Sequence, residues 1–222
     1  MVIEERGSMM EVFSIAKEHA PIDGLTISSH CSIQTEKNHI VYFSLGAGTD
    51  ISQEMYPSMQ MYICNGGKGS FLIDEKKVIV KDGDLVVVAG GSLCGAMSET
   101  GLVYTEVIPG KECKMNKIVK AGEVLQLKEL VPYQKDSIVN ADIASNDTMK
   151  FVVMAFDENT ELTPHAAPGD AIVFALEGKA TIGYEGKEYA IEAGEQFHFA
   201  KGGMHAVKAN GKFKMALLLV LR

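Results

Sequence analysis

Any reactive chemistry in this 222-residue chain has to come from four cysteines, six histidines, 29 acidic side chains and a set of glycine-rich turns. Cys31, Cys64, Cys94 and Cys113 show no CxxC and no paired spacing. Glu4 and Glu5 stand where a signal peptide would carry basic residues, and no apolar segment follows them. The thiols are therefore expected to be free, in a reducing cytoplasm. Gly66-Gly67-Lys68-Gly69 and Gly90-Gly91 look superficially like phosphate-cradling loops, but they lack the strand-to-helix setting such loops need. No nucleophile, base and acid fall into a triad-like pattern. A net charge of -8 argues against a nucleic-acid surface, and no apolar run of about 18 residues is available to span a bilayer. What remains is small-molecule chemistry on a globular, turn-rich scaffold of 46% hydrophobic residues, 22 Gly and 6 Pro.

The scaffold is written twice. Shifting the sequence by 111 residues aligns its halves without a gap. Lys17-Glu18 and Pro21 fall on Lys128-Glu129 and Pro132, Val41 on Val152, and Thr49 on Thr160. Gly67-Lys68, Gly83, Ala89 and Gly91 fall on Gly178-Lys179, Gly194, Ala200 and Gly202. Many of these matches are Gly, Pro or turn-flanking residues, which constrain the backbone most. The repeats are read as 11–110 and 122–222, with an N-terminal extension 1–10 and a connector 111–121. Each half carries the same β-rich segments, His39–Leu45 with Lys150–Phe156 and Leu85–Val88 with Gln196–Phe199 among them. Helical periodicity is weak except over Gly122–Leu130. Many short strands with regularly spaced turns predict closed all-β barrels or jelly rolls.

The second repeat resembles the cupin superfamily, whose paired motifs read G(X)5HXH(X)3-4E(X)6G and G(X)5PXG(X)2H(X)3N. Gly194, Gly202 and His205 stand at the spacing of the second motif, with Ala200 in its proline slot and Ala209 in its asparagine slot. His165 and Gly178 stand at the first histidine and closing glycine of the first motif. Ala167 fills the second histidine slot and Ala171 the glutamate slot. The resemblance implies a bicupin: all-β, with two double-stranded β-helix (jelly-roll) barrels in tandem. It also implies a divalent metal, Fe, Mn, Ni or Zn, held by residues facing into the barrel. His165 and His205 are the metal ligands it offers. Asp170 would join them only if Pro168-Gly169 introduces a bulge, and is otherwise a turn aspartate. His198 is either a hydrogen-bonded interior histidine or a further ligand. In the first repeat the same four slots hold Glu54, Tyr56, Gln60 and Cys94. That set lacks imidazole, so a metal is not expected there. Together with Ala167 and Ala171 these residues are candidates for lining a pocket, although a purely structural role for the first repeat is the favoured reading.

Two functions are thus expected. One is a metal-dependent oxygenase- or isomerase-like enzyme acting on a small molecule in the second barrel. The other is a metal-free small-molecule-binding or sensor protein. Homodimerisation, common among cupins, is implied by the resemblance. Neither nucleic acid nor membrane is expected as a partner.

Overall fold

Alternation of apolar and polar residues sets each strand's inward face. Val78 and Val80 are buried while Lys77, Ile79 and Lys81 face solvent, as the two-residue period of a half-buried strand requires. In a computed structural model, which describes residues 11–110 and 112–221, nearly all regular structure is β. The extension 1–10 lies outside the described residues.

In the first half the strands are β1 (Thr26–His30), β2 (Asn38–Leu45), β3 (Thr49–Met55), β4 (Gln60–Ile73), β5 (Lys76–Lys81), β6 (Asp84–Val88), β7 (Leu93–Ser98) and β8 (Leu102–Pro109). A single helical turn, α1 (Ile15–Glu18), precedes them. The connector carries β9 (Lys114–Met115), followed by β10 (Val124–Gln126) and a 3-10 turn at Leu127–Glu129. The second half holds β11 (Ile138–Ser145), β12 (Met149–Phe156), β13 (Glu161–Ala166), β14 (Asp170–Glu177), β15 (Lys179–Tyr184), β16 (Lys187–Glu192), β17 (Gln196–Phe199), β18 (Met204–Ala209) and β19 (Phe213–Val220). The 111-residue shift maps β2, β5, β7 and β8 end to end onto β12, β16, β18 and β19.

All pairings are antiparallel. One face of the first barrel runs β1-β2-β8-β4-β6-β10 and the other β3-β7-β4-β5, with the long β4 bending through both. The second barrel repeats this as β9-β11-β12-β19-β14-β17 and β13-β18-β15-β16. The sequence suggests two strands, Met61–Cys64 and Ser70–Ile73, where the structure has the single strand β4. The second barrel does break there, at Gly178. Its φ is +77° and a Cβ would lie 2.0 Å from the Lys212 carbonyl oxygen, so only glycine fits.

The two halves are interlocked. β10, which leads the second repeat, pairs with β6 of the first barrel, while Phe13, which leads the first, bridges to Gln196 of the second. The Gly122–Leu130 stretch is therefore not a helix: Val124–Gln126 is drawn out as an edge strand on the neighbouring barrel, and only one 3-10 turn follows. Three apolar cores result. Two fill the barrel interiors, around Phe71 and Leu102 in the first and Phe197 and Phe213 in the second. The third lies between the barrels and draws on both, with Ile40, Met61, Leu85 and Val107 packing with Phe151, Val153, Ile172 and Leu218.

The exchange is pinned by a buried hydrogen bond in which the Ile15 backbone N–H donates to Gln196 Oε1 at 2.7 Å. Replacing Gln196 with leucine leaves that donor unsatisfied in an apolar setting, so we expect a loss of about 1–3 kcal/mol in urea unfolding. Unchanged stability would show that the exchanged segment contributes little.

Candidate functional site

The residues singled out by type and spacing sit on β3 and β7 in the first barrel and on β13 and β18 in the second. These short polar strands form one mouth of each barrel. In both, the pairing slips by one register: between Ile51 and Glu54 against β7, and between Leu162 and His165 against β18. Such a bulge re-aims the side chain that follows it. It sets His165 directly opposite His205, and Glu54 directly opposite Cys94. The mouths are therefore homologous sites with different chemistry.

In the second barrel the His165 and His205 rings are 4.1 Å apart, centroid to centroid, at 53°. His165 Nδ1 lies 2.8 Å from the Thr163 carbonyl oxygen and His205 Nδ1 lies 3.3 Å from that of Gly203. A carbonyl can only accept, so in both rings Nδ1 carries the hydrogen and Nε2 keeps its lone pair. His165 is exposed and His205 is buried. Burial pulls the His205 imidazole below its ordinary pKa; the Gly203 carbonyl opposes that shift and the neighbouring His165 reinforces it.

Beneath His205 the barrel is full. Phe199 packs on it at 4.2 Å, and Phe197 and Tyr184 fill the space behind. Ala167 and Ala171 are buried among these rings. Asp170 is also buried, but its Oδ1 accepts the Lys201 backbone N–H at 2.9 Å, and it shares a sheet face with Ile172 of the inter-barrel core. Pro168-Gly169 falls between β13 and β14, outside either strand. His198 is half-buried on β17, between Phe197 and Phe199, which face the barrel interior; its own side chain takes the opposite face, paired with Ile172. Neither Asp170 nor His198 is brought to the histidine pair.

Among the described residues no three His, Cys, Asp or Glu side chains converge as a metal-binding group. Two imidazoles above a floor of aromatic rings do not fit a resident catalytic metal, which takes three or more protein donors and an open position.

The first barrel is hollow where the second is filled. Val86, Val88 and Ile73 stand at the repeat positions of Phe197, Phe199 and Tyr184. A cavity of about 40 Å³ opens to the surface, walled by side chains bulkier than their counterparts: Tyr56, Tyr62, Phe71 and Tyr104 stand where the second barrel has Ala167, Val173, Ile182 and Met215. Glu54, Tyr56 and Cys94 line it, together with Tyr62, Tyr104, Glu106, Phe43 and Phe71. Gln60 is buried on the same inward face of β4 but is not part of the lining; its Nε2 has no hydrogen-bond partner. Tyr56 donates its hydroxyl to Glu54 Oε2 at 3.0 Å. Phe43 stacks on Tyr104 and Tyr62 stacks on Phe71, at 5.0 and 4.5 Å.

Glu106 is the residue that motif reasoning passes over. It is 7% exposed and occupies the repeat position of Leu217. Burial lifts its carboxyl to about 7; the Tyr62 hydroxyl partly offsets this and Glu54 adds to it. A carboxylate inside an otherwise apolar strand, VYTEVI, with a leucine at the repeat position, is the signal that points to it. Burial also holds the Cys94 thiol up at about 11, so it is protonated at neutral pH and is no ready nucleophile. All four cysteines are free and buried.

The fold and these paired mouths define a two-barrel protein of the cupin type. Residues 152–221 match the family model for the cupin domain, and the chain as a whole has the cupin fold. A cupin 2 conserved barrel domain protein from Leptotrichia buccalis is similar over 97% of this chain and 98% of its own, at 24% identity and a TM-score of 0.86. AerE from Microcystis aeruginosa covers 88% of this chain and 98% of its own, at 14% identity and a TM-score of 0.52. A salicylate 1,2-dioxygenase variant from Pseudoaminobacter salicylatoxidans, solved in complex with gentisate, matches 95% of this chain and 81% of its own, at 10% identity and a TM-score of 0.65. No curated protein matches the sequence significantly. No helix among the described residues is long and apolar enough to cross a membrane.

Because the Glu106 carboxyl titrates near 7 when folded and near 4.5 ordinarily, the folded state holds the extra proton between those values. Stability is therefore lost as pH rises from about 4.5 to 7 and is level beyond. Glu106→Gln should remove that slope, raising stability at pH 8 by up to roughly 3 kcal/mol and leaving it unchanged at pH 4.5. Urea unfolding at the two pH values reads the difference.

Proposed function

We propose that this protein binds a small organic molecule inside its first barrel and does not depend on a resident metal to do so. The observation that carries this reading is the first-barrel cavity: a pocket ringed by Tyr56, Tyr62 and Tyr104, with the buried carboxyl of Glu106 among them. An apolar pocket with a few convergent polar groups and a strongly shifted titratable residue is the usual form of a ligand site. In the second barrel Phe199 lies against His205, the repeat counterpart of the lining residue Cys94, so the matching mouth stands on an aromatic floor.

This reading moves the binding chemistry from the His165–His205 pair to the other repeat. Distant likeness to a dioxygenase at 10% identity supports the fold and carries no reaction with it.

The test is to purify the protein without chelators and without a histidine tag, measure its metal content, and screen small metabolites by thermal shift. We expect metal well below one equivalent and a ligand that raises Tm in the presence of EDTA. That stabilisation should persist in His165→Ala and disappear when Cys94 is enlarged to phenylalanine to fill the cavity. Stoichiometric metal lost in a His165→Ala/His205→Ala double variant would overturn the reading in favour of a metal centre in the second barrel.

A further inference from the structure

The charge pattern of the first-barrel cavity narrows what it can hold. Among its lining residues two are carboxylic acids, Glu54 at the exposed mouth and Glu106 in the buried part, and none is Lys, Arg or His. Resting on the binding reading above, we propose that the cavity receives the ammonium group of a small amine, with Glu106 as its buried counter-ion and Glu54 and Tyr56 at the entrance.

Three features converge on this class. An anionic ligand would face two acids with no positive charge to offset them, and repulsion between like charges in a partly desolvated site is costly. A neutral ligand would leave the Glu106 charge uncompensated near neutral pH, because no cationic side chain lies in the lining. A cationic ligand supplies the missing partner.

The remaining wall is aromatic: Phe43, Tyr62, Phe71 and Tyr104 form one connected cluster, with both stacked and edge-on contacts between rings. Aromatic surface beside a carboxylate suits alkylammonium groups, whose charge is diffuse and whose methyl or methylene carbons tolerate desolvation. A bare inorganic cation fits less well, since calcium takes six to eight oxygen donors and magnesium a near-ideal octahedron. The volume, about 40 Å³, is little more than one water's share of the liquid, about 30 Å³, so only the charged end enters and the remainder of the ligand rests in the open mouth. The Glu106 carboxyl, protonated in part when the cavity is empty, gives up its proton as the ammonium enters, so the buried pair forms only when the ligand brings its charge.

The second barrel offers an internal comparison. At the positions of Glu54, Cys94 and Glu106 it carries His165, His205 and Leu217, and among its described residues the one buried acid, Asp170, is on the sheet face of the inter-barrel core. The proposal is therefore specific to one repeat.

The experiment is a titration at pH 8 of the full chain, followed by backbone amide NMR at Ser52, Gly95 and Ala96, which border the cavity. The probes are methylammonium, tetramethylammonium and ethanolamine as chlorides, against potassium and calcium chloride, sodium acetate and acetamide. Saturable shifts at those amides with an ammonium probe are expected, weakened at least tenfold in Glu106→Gln and retained in His165→Ala. Glu54→Gln should weaken them more modestly, which gives a second reading of charge recognition if the Glu106 variant is altered in its folding. Equal or tighter binding of acetate or acetamide at the same amides would overturn the amine assignment and leave the binding reading standing. Saturation by calcium with no response to the ammonium probes would overturn it in favour of an inorganic cation. No shift with any probe would overturn it as well. In that case a ligand still found in the first barrel by the metabolite screen would show that only the class was wrong, and an empty screen would bring down both.

Discussion

The apolar layer between the two barrels is the constraint on which the rest of the structure depends. Each barrel turns one sheet face toward the other, so Ile40, Leu85 and Val107 of one half meet Phe151, Ile172 and Leu218 of the other. A jelly-roll sheet with an apolar outer face has to bury it, and here the other repeat of the same chain supplies the cover. The swapped leading segments close the arrangement: β10 completes the first barrel's sheet and the Phe13 bridge completes the second's. Pairing is thereby satisfied within one chain. Because the outer faces are tied to each other, the side chains that point into each barrel are the ones left free to change.

They have changed in opposite directions. Val86, Val88 and Ile73 in the first barrel correspond to Phe197, Phe199 and Tyr184 in the second. The ring volume that disappears at those positions is matched by bulk in the wall of the first-barrel cavity, where Tyr62 and Tyr104 take the places of Val173 and Met215. Interiors are close-packed, so such exchanges must move volume rather than delete it, or the barrel loses stability. The outcome is a filled barrel with a polar pair at its mouth and a hollow one with a polar pair at its mouth. The two pairs, His165 with His205 and Glu54 with Cys94, sit behind the same bulge in the same register.

How much of this could be read beforehand depended on what each segment buries. β2, β6, β12, β17 and β19 are rich in branched and aromatic residues and were legible as strands from that alone. Of the strands that carry the site, TDISQEM and ELTPHA lie at a sheet edge while LCGAMS and MHAVKA pair on both sides; all four are partly exposed and none is rich in branched or aromatic residues. Motif spacing singled out residues on them without reading the segments as strands. That spacing singled out His165 and His205, and the strand register sets the two opposite each other. It could not reveal that the barrel floor beneath them is occupied, since the filling rings come from β15 and β17 and leave no mark on the motif. Nor could it reveal Glu106, which belongs to no motif and shows itself only by standing where the other repeat has leucine.

The placement of Glu106 carries a thermodynamic implication. A buried carboxyl without a cationic neighbour lowers folded stability at neutral pH, and a leucine is accommodated at the equivalent point of the second barrel. The surrounding structure does not relieve the cost with a basic side chain; it offers only the Tyr62 hydroxyl, which favours the charged form without neutralising it. The result is a site that is least stable when ionised and empty, and that gains stability whenever something positively charged occupies it. Natural chains keep a destabilising group mainly where function uses it. In this protein the burden is confined to one barrel, while the other remains tightly packed and holds the shared core in place.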